Sequence, residues 1–330
     1  MRRLVFAASA AVLMTTIASA QDIVSAKAGL IHLMEGKVLI NGVEAEQKGD
    51  QFLSLKEGEI LSTERGRAEV LLNAGSYLRL GENSSFKLTS SYLEDTRFTV
   101  LSGTALVEIA ELPKDTGVTL DFLGSQVELK KRGLYEFTAD APGRARVYDG
   151  EIALQSEGAF PIKIAKNKEI AFDKLAAGPV KFDQTVTTAL YRWGARRARY
   201  IAAANEAAAR NGNTYGSGYS SGFASGYRGI WAFNPMFGMY TYLPLSGYGY
   251  SPYSGVVLYS PATVYLRYAA PVMIGNSGFD AGSSARSAVS SPNYSAAPSG
   301  GGAALPAATA PAVATPNVGG GDSGGAAHRR

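Results

Sequence analysis

From residue 58 to residue 88 the chain reads as short apolar and polar alternations broken by turns: GEILSTERGRAEVLLNAGSYLRLGENSSFKL. Successive side chains of an extended strand point to opposite faces. Ala68, Val70 and Leu72 therefore share one face, and Glu69 and Leu71 the other. Ala74-Gly75 marks a turn, because glycine reaches positive φ without steric cost, and residues 77–80 run back. A two-residue loop sets Leu71 opposite Leu78 and Leu72 opposite Tyr77. Both faces are then largely apolar, as in a strand covered on both sides. Gly81-Glu82-Asn83-Ser84 is the next turn, and residues 85–88 the next strand.

The same punctuation runs from residue 23 to residue 180, with Asn41-Gly42, Gly49-Asp50, Pro142-Gly143, Asp149-Gly150 and Glu157-Gly158 among its turn signals. A spacing of about ten residues is the mark of an all-β chain. Further strands are predicted at 30–33, 37–40, 98–101, 105–109, 118–122, 126–129, 134–138, 145–148, 152–155, 162–165 and 169–172. Regular spacing of this kind suits a stacked β-roll, a β-helix-like coil or a compact sandwich.

The period changes at residues 182–211. Val186, Leu190, Trp193, Tyr200, Ile201 and Ala204 recur at helical spacing, Asp183 is the expected N-cap, and Asn211-Gly212 stops the helix. Arg192, Arg196 and Arg199 share one face, with Arg197 beside them. They read either as a contact for an anionic surface, such as lipid headgroups or cell-wall polymer, or as the solvated side of a helix packed through Trp193. Residues 213–268 are rich in Tyr, Gly, Ser and Pro, and Tyr250-Ser251-Pro252 recurs as Tyr259-Ser260-Pro261. Trp231, Phe237, Tyr240 and Tyr242 in this segment either stack on sugars or mediate assembly, or they pin the segment to the folded part. Residues 269–330 are Ala, Gly, Ser, Pro and Thr with few charges, a composition that cannot bury enough apolar surface to order itself.

Composition adds a setting. Arg2 and Arg3, the apolar run 4–17 and Ala18-Ser19-Ala20 have the layout of an export leader with a small-residue cleavage site, leaving Gln21 as the mature N-terminus. The expected divisions are a signal peptide at 1–20, a β domain at 21–180, an amphipathic helix at 181–212, a Tyr/Gly/Pro-rich segment at 213–268 and a disordered tail at 269–330. The expected location is periplasmic or at the cell surface. No later stretch has the ~20 apolar residues a membrane helix needs. The chain has no cysteine, so an exported fold of this sequence relies on core burial rather than disulfides and has no thiolate metal site or thiol nucleophile. Its formal charge is +4, lowered by two when the leader is removed. That is a weak pull on polyanions, and nucleic acid is not an expected partner.

Candidate chemistry is sparse. The two histidines are His32, within a strand pattern, and His328, within the tail. No nucleophile elbow accompanies His32, and one histidine in the structured part does not make a zinc or haem site. The glycines near Gly216-Ser217-Gly218 follow no clear buried strand and do not form a phosphate cradle. Glu108 with Glu111, or Asp149 with Glu151, offers paired carboxylates of the kind glycoside hydrolysis uses. On alternating strand positions such residues are more often surface polar groups. No cofactor or metal is expected.

Taken together, Gly58-Glu59 with Leu61 and Thr63, Gly66, Ala68-Glu69-Val70, Leu72, Gly75-Ser76 and Leu78-Arg79-Leu80-Gly81-Glu82-Asn83-Ser84 resemble the FecR-type domain, the periplasmic module named after the ferric-citrate regulator. Leu101-Ser102-Gly103-Thr104-Ala105 and Val147-Tyr148-Asp149-Gly150-Glu151-Ile152 fit its later strands, so the resemblance covers residues 28–172. Ala74 departs from the family, which often has Asp before the glycine. The resemblance favours the stacked roll and implies a non-catalytic exported module that binds a protein or a polymer of the cell envelope, polysaccharide or peptidoglycan. Classical FecR regulators cross the inner membrane and hold a sigma factor on the far side. No crossing segment is expected here, and that mechanism is not implied. The other readings are a structural or adhesive envelope protein and a carbohydrate-active β-helical enzyme using carboxylates. The candidate contact residues are Arg192, Arg196, Arg199, Trp231, Phe237, Tyr240 and Tyr242, and the catalytic candidates are none.

Overall fold

A computed structural model of the chain describes residues 27–47, 49, 51–112, 116–212 and 229–268. The expected leader, the glycine-rich run 213–228 and the tail 269–330 lie outside the described residues.

The chain is mostly strand, as the alternation predicts. One large sheet contains β1 (Leu30–Ile40), β2 (Val43–Glu44), β3 (Ile60–Leu71), β4 (Ser76–Leu80), β5 (Ser85–Ser91), β6 (Asp95–Ser102), β7 (Thr104–Ile109), β8 (Gly117–Phe122), β9 (Ser125–Leu129), β10 (Gly133–Thr138), β11 (Arg144–Asp149), β12 (Glu151–Ser156), β13 (Ile162–Ala165), β14 (Lys168–Ala171) and β15 (Val180–Lys181). Its strands follow the order β13-β12-β9-β8-β6-β5-β3-β4-β7-β10-β11-β14-β15, with β1 paired to β3. The two flanks of this path share one apolar interior. Phe86, Phe98 and Leu120 enter it from one flank, and Val70, Leu80 and Phe137 from the other. Phe122 meets Phe137 edge-on across it at 5.5 Å between ring centres. Pairing is antiparallel except between β6 and β8, which is not the parallel stacking of a β-helix-like coil.

The long strand β3 joins the two flanks. Along the edge opposite β1, residues 60–62 pair with β5 and residues 68–71 pair with β4. The strand bends where Gly66 lies opposite Gly36 of β1. A Cβ on Gly66 would sit 2.6 Å from the carbonyl oxygen of Glu35 and 2.7 Å from that of Lys37. Only glycine allows the two backbones to approach so closely.

The β3–β4 hairpin corrects the expected register by one residue. Val70 faces Leu78, Leu71 faces Tyr77, and Glu69 faces Arg79. The loop holds three residues, Asn73, Ala74 and Gly75. The Ser76 N–H donates to the Asn73 carbonyl at 2.8 Å, and Gly75 takes the positive φ of 83°. Ala74 is poorly suited to open a two-residue turn, and the extra residue moves the left-handed position onto the glycine. All five residues of β4 are buried, so the strand is covered on both sides, but its second face carries charge.

Helix α1 (Ala189–Gly212) and a C-terminal group cover that second face. The group consists of the hairpin β16 (Gly229–Asn234)–β17 (Met239–Pro244), the hairpin β18 (Tyr248–Tyr250)–β19 (Val257–Tyr259) and the short helix α2 (Pro261–Tyr268). The expected single helix followed by irregular chain is thus corrected: the part of 213–268 that is described has strands and a helix of its own. The helix also starts later than expected. Asp183 accepts from the N–H and hydroxyl of Thr185 in a local turn. The cap is Thr188, whose Oγ1 accepts the Tyr191 N–H at 3.0 Å and donates to Glu136 at 2.6 Å. Leu190, Trp193, Ile201 and Ala204 are buried as the helical period predicts, whereas Val186, which precedes the helix, and Tyr200, at the flank of the stripe, are exposed. Trp193 packs with Leu106 and Leu134 of the sheet, and its Nε1 donates to Glu35 at 3.0 Å. Among the described residues no helix is long and apolar enough to cross a membrane.

Leu72 and Leu80 lie in the interior with 1% and 0% of their surface exposed. Truncating either to Ala is expected to cost about 2–5 kcal/mol, and Trp193→Ala about 3–5 kcal/mol. Arg196→Ala, on the solvent side, is expected to stay within about 0.5 kcal/mol of the parent. Denaturant titration of the four variants checks this ordering, and unchanged leucine variants would contradict the hairpin placement.

Candidate functional site

The outer faces of β3, β4, β7 and β10 carry Glu69, Arg79, Glu108 and Glu136, one buried charge per strand. All four are at most 2% exposed. Unpaired charges there would cost several kcal/mol each, and the register supplies the pairing. Arg79 Nε donates to Glu69 Oε2 at 2.7 Å, and its Nη1 donates to Glu108 Oε2 at 2.6 Å. Helix α1 adds Arg197, whose Nη2 donates to Glu69 Oε1 at 2.8 Å. The C-terminal group adds Ser251, whose hydroxyl donates to the remaining oxygen of Glu108.

His32 of β1 closes the network. Its Nε2 accepts the backbone N–H of Tyr240 at 3.1 Å, which leaves the proton on Nδ1 to be donated to Glu69 at 2.8 Å. Two carboxylates and two guanidiniums balance around a neutral imidazole, and the strands, α1 and the C-terminal group each contribute. Arg79 also lies 5.2 Å over the ring of Tyr77, a contact that attracts a cation to the ring face.

The surroundings move two carboxyls in opposite directions. For Glu69, burial pushes the carboxyl up, but Arg79, Arg197 and His32 outweigh it and hold the group well below the ordinary carboxylate range. For Glu136, burial also pushes up, and the bonds from Thr188, Arg146 and Tyr148 offset it only in part, so it titrates above its ordinary value. The Arg79 guanidinium, despite its burial, is held charged by Glu108 and Glu69.

The paired carboxylates considered for catalysis are all engaged. Glu108, expected at the surface, is buried because α1 and the C-terminal group cover its side of the sheet. Glu111 accepts the hydroxyl of Tyr242. Asp149 meets Lys166 at 2.8 Å, and Glu151 meets Lys163 at 2.8 Å and Lys131 at 3.2 Å. These contacts fasten one part of the chain to another, and each of the four carboxylates already has a partner.

The seven contact candidates divide. Trp231, Tyr240 and Tyr242 are interior, 1–7% exposed. Trp231 stands edge-on to Tyr77 at 5.1 Å, and Tyr240 packs on Phe52 at 5.2 Å. They pin the segment to the sheet and do not form part of its open surface. Phe237 is half-buried, edge-on to Tyr200 at 5.4 Å. Arg192, Arg196 and Arg199 are exposed on one side of α1. Among the described residues no carboxylate forms an ion pair with any of them, and the Arg192 guanidinium donates to the Thr187 carbonyl at 2.6 Å.

Residue types alone did not single out Asn205. It is fully buried in α1, donates to the carbonyls of Tyr242 and Tyr259 at 2.9 and 3.1 Å, and accepts the Tyr259 N–H at 2.6 Å. The one sequence signal was its place on the apolar stripe, next to Ala204.

The chain matches no family model. No curated protein is similar to it. Two crystal structures of a proposed anti-sigma factor from Parabacteroides distasonis ATCC 8503 are alike in part, at 11% and 12% identity and a TM-score of 0.32 each. The likeness covers 38% of this chain and 59% of theirs, and so less than two thirds of the neighbour's length. It is too distant to bear on function.

Glu69 sets an acid limit. An unfolded glutamate titrates near about 4.3, and the folded one lower. Its contribution is therefore complete above that value and is lost as pH falls from it toward the folded value. Glu69→Gln is expected to cost about 3–5 kcal/mol at neutral pH, as when a buried ion pair loses one member. The gap to the parent should narrow below about pH 4.3. Glu136 has the opposite sign: its ionisation opposes folding, so the parent loses stability as pH rises through the raised folded value. Glu136→Gln is expected to flatten that loss. Stability measured by denaturant titration across acid and neutral pH checks both, and a pH-independent cost for Glu69→Gln would count against the assignment.

Proposed function

We propose that the chain is a non-catalytic, exported interaction module of the FecR type, and that it binds an anionic component of the cell envelope through the outer side of α1. One observation carries the reading: Arg192, Arg196 and Arg199 stand exposed on one face of a helix whose other face is locked in place, with no carboxylate pairing them among the described residues. Other exposed cations, such as Arg65, Lys87 and Lys174, also lack an ion pair among the described residues, but these three arginines stand together on one helix face. The leader-like layout of residues 1–20 supports an exported setting, and the order of motifs from Gly58 to Ile152 supports the FecR assignment.

The enzyme reading is less well supported, because His32, Glu108, Glu111, Asp149 and Glu151 are each engaged by a neighbouring residue. The adhesive reading loses the contacts of Trp231, Tyr240 and Tyr242, which are interior.

An arginine near an anionic surface contributes about 1 kcal/mol, and about 1.4 kcal/mol is a tenfold change in affinity. The double change Arg196→Ala with Arg199→Ala is expected to weaken retention of the exported protein on its own envelope fraction about tenfold or more at low salt, with melting unchanged. The difference should shrink at high salt, where the attraction is already screened. Retention that is the same for parent and variant at low salt would overturn the proposal.

A further inference from the structure

We infer that the anionic component is a lipid bilayer surface, and that the turn between β16 and β17 enters it beside the arginines of α1. This rests on the binding role proposed for the arginine stripe and goes beyond it in naming the partner.

The turn is built to hold an apolar tip outward. Asn234 Oδ1 accepts the Met236 N–H at 3.0 Å, and the Asn234 carbonyl accepts the Phe237 N–H at 3.2 Å. Asn234 itself is 3% exposed, and its Nδ2 donates to the Ala204 carbonyl of α1 at 2.8 Å. The tip is therefore bolted to the helix. It presents Pro235 and Met236, both exposed, Met236 by 77%.

The tip meets the cationic stripe through aromatic rings. Phe237 lies edge-on to Tyr200. Tyr200 is 47% exposed and lies one helical turn beyond Arg196, on the same side of α1. The surface thus runs from guanidiniums through a phenol to a phenyl ring and a bare methionine.

Each step matches a layer of a membrane interface. Guanidiniums take phosphate oxygens in pairs, tyrosine suits the headgroup level, and methionine suits the acyl boundary just below. A soluble anionic polymer would use the arginines and leave Met236 in water. The charge favours an anionic membrane over a neutral one, and the exposed tip favours a bilayer over a polymer.

The test uses the full exported chain and three probes: phosphatidylcholine vesicles, the same vesicles with phosphatidylglycerol added, and soluble polyphosphate. Co-sedimentation is measured for the vesicles, and a direct titration for polyphosphate. The variants are Met236→Ser and the double change Arg196→Ala with Arg199→Ala, each with its melting curve recorded. The inference expects binding to the phosphatidylglycerol vesicles and little to phosphatidylcholine alone. It expects a loss of about tenfold or more for the arginine variant, and a several-fold loss for Met236→Ser with melting unchanged.

If Met236→Ser binds the anionic vesicles as the parent does, and polyphosphate is bound as tightly as they are, the lipid inference is overturned while the cationic face stands. Equal binding to both kinds of vesicle overturns the anionic requirement. If the arginine variant matches the parent on every probe, both the inference and the reading beneath it fall. Capture by an envelope protein that depends on Met236, with no vesicle binding, assigns the face to a protein partner instead.

Discussion

Arg79 lies between Glu69 and Glu108 on a sheet face with no access to water, and the way the chain covers that face follows from this. A buried charge is tolerated when its partners are near; here the carboxylate oxygens of Glu69 and Glu108 are all met, while Arg79 Nη2 and Arg197 Nε find no acceptor among the described residues. The sheet supplies both ion pairs: Glu69 lies directly opposite Arg79, and Glu108, opposite Tyr77, is reached diagonally. The free oxygens of the carboxylates are met by groups that arrive from far along the chain: Arg197 from α1, Ser251 from the second C-terminal hairpin, and His32, itself held by the Tyr240 N–H. The cover that excludes water also supplies these partners. A cover shifted by one residue would leave an ionised group buried and alone, so the charges act against misdocking as well as for docking.

The helix is shaped by the same demand. It crosses the sheet at Gly194, where a Cβ would press on Leu106 at 3.0 Å. On its far side three polar side chains tie it to the C-terminal strands: Asn205, Asn234 and Thr241, the last donating to the Ile201 carbonyl at 3.0 Å. Apolar packing supplies most of the stabilisation, as it must for a helix of this length in water. The hydrogen bonds decide rotation, and rotation decides which arginines remain outside. Arg197 turns in to Glu69, while Arg192, Arg196 and Arg199, its near neighbours in the chain, face solvent.

Inside and outside therefore have different electrostatic characters. In the interior Glu69 and Glu108 are matched by Arg79 and Arg197, and His32 is held by Glu69 and the Tyr240 N–H. On the outer side of α1, Arg192, Arg196 and Arg199 have no carboxylate partner among the described residues and lie near an apolar turn.

The sequence by itself determined most of the strands up to residue 171 and a helix with a buried tryptophan, though not where that helix starts or the strands and short helix of 229–268. Each of these is written in local periodicity and glycine placement, which act over a few residues. It also showed that β4 is covered on both faces. It did not show what covers it. Glu108 read as a surface group, and the sequence assigned no partner to Glu69 or Arg79; all three are interior because chain more than a hundred residues away folds over them. The one-residue change in the β3–β4 register was invisible for a related reason. Turn length rests on small differences in backbone cost, yet it decides whether Glu69 meets Arg79 or Leu80. Trp231, Tyr240 and Tyr242 stand in a segment whose composition suits both an exposed and a pinned state. Tertiary packing against Tyr77 and Phe52 chose between them, because only in the folded chain do those rings offer apolar surface that water would otherwise have to cover.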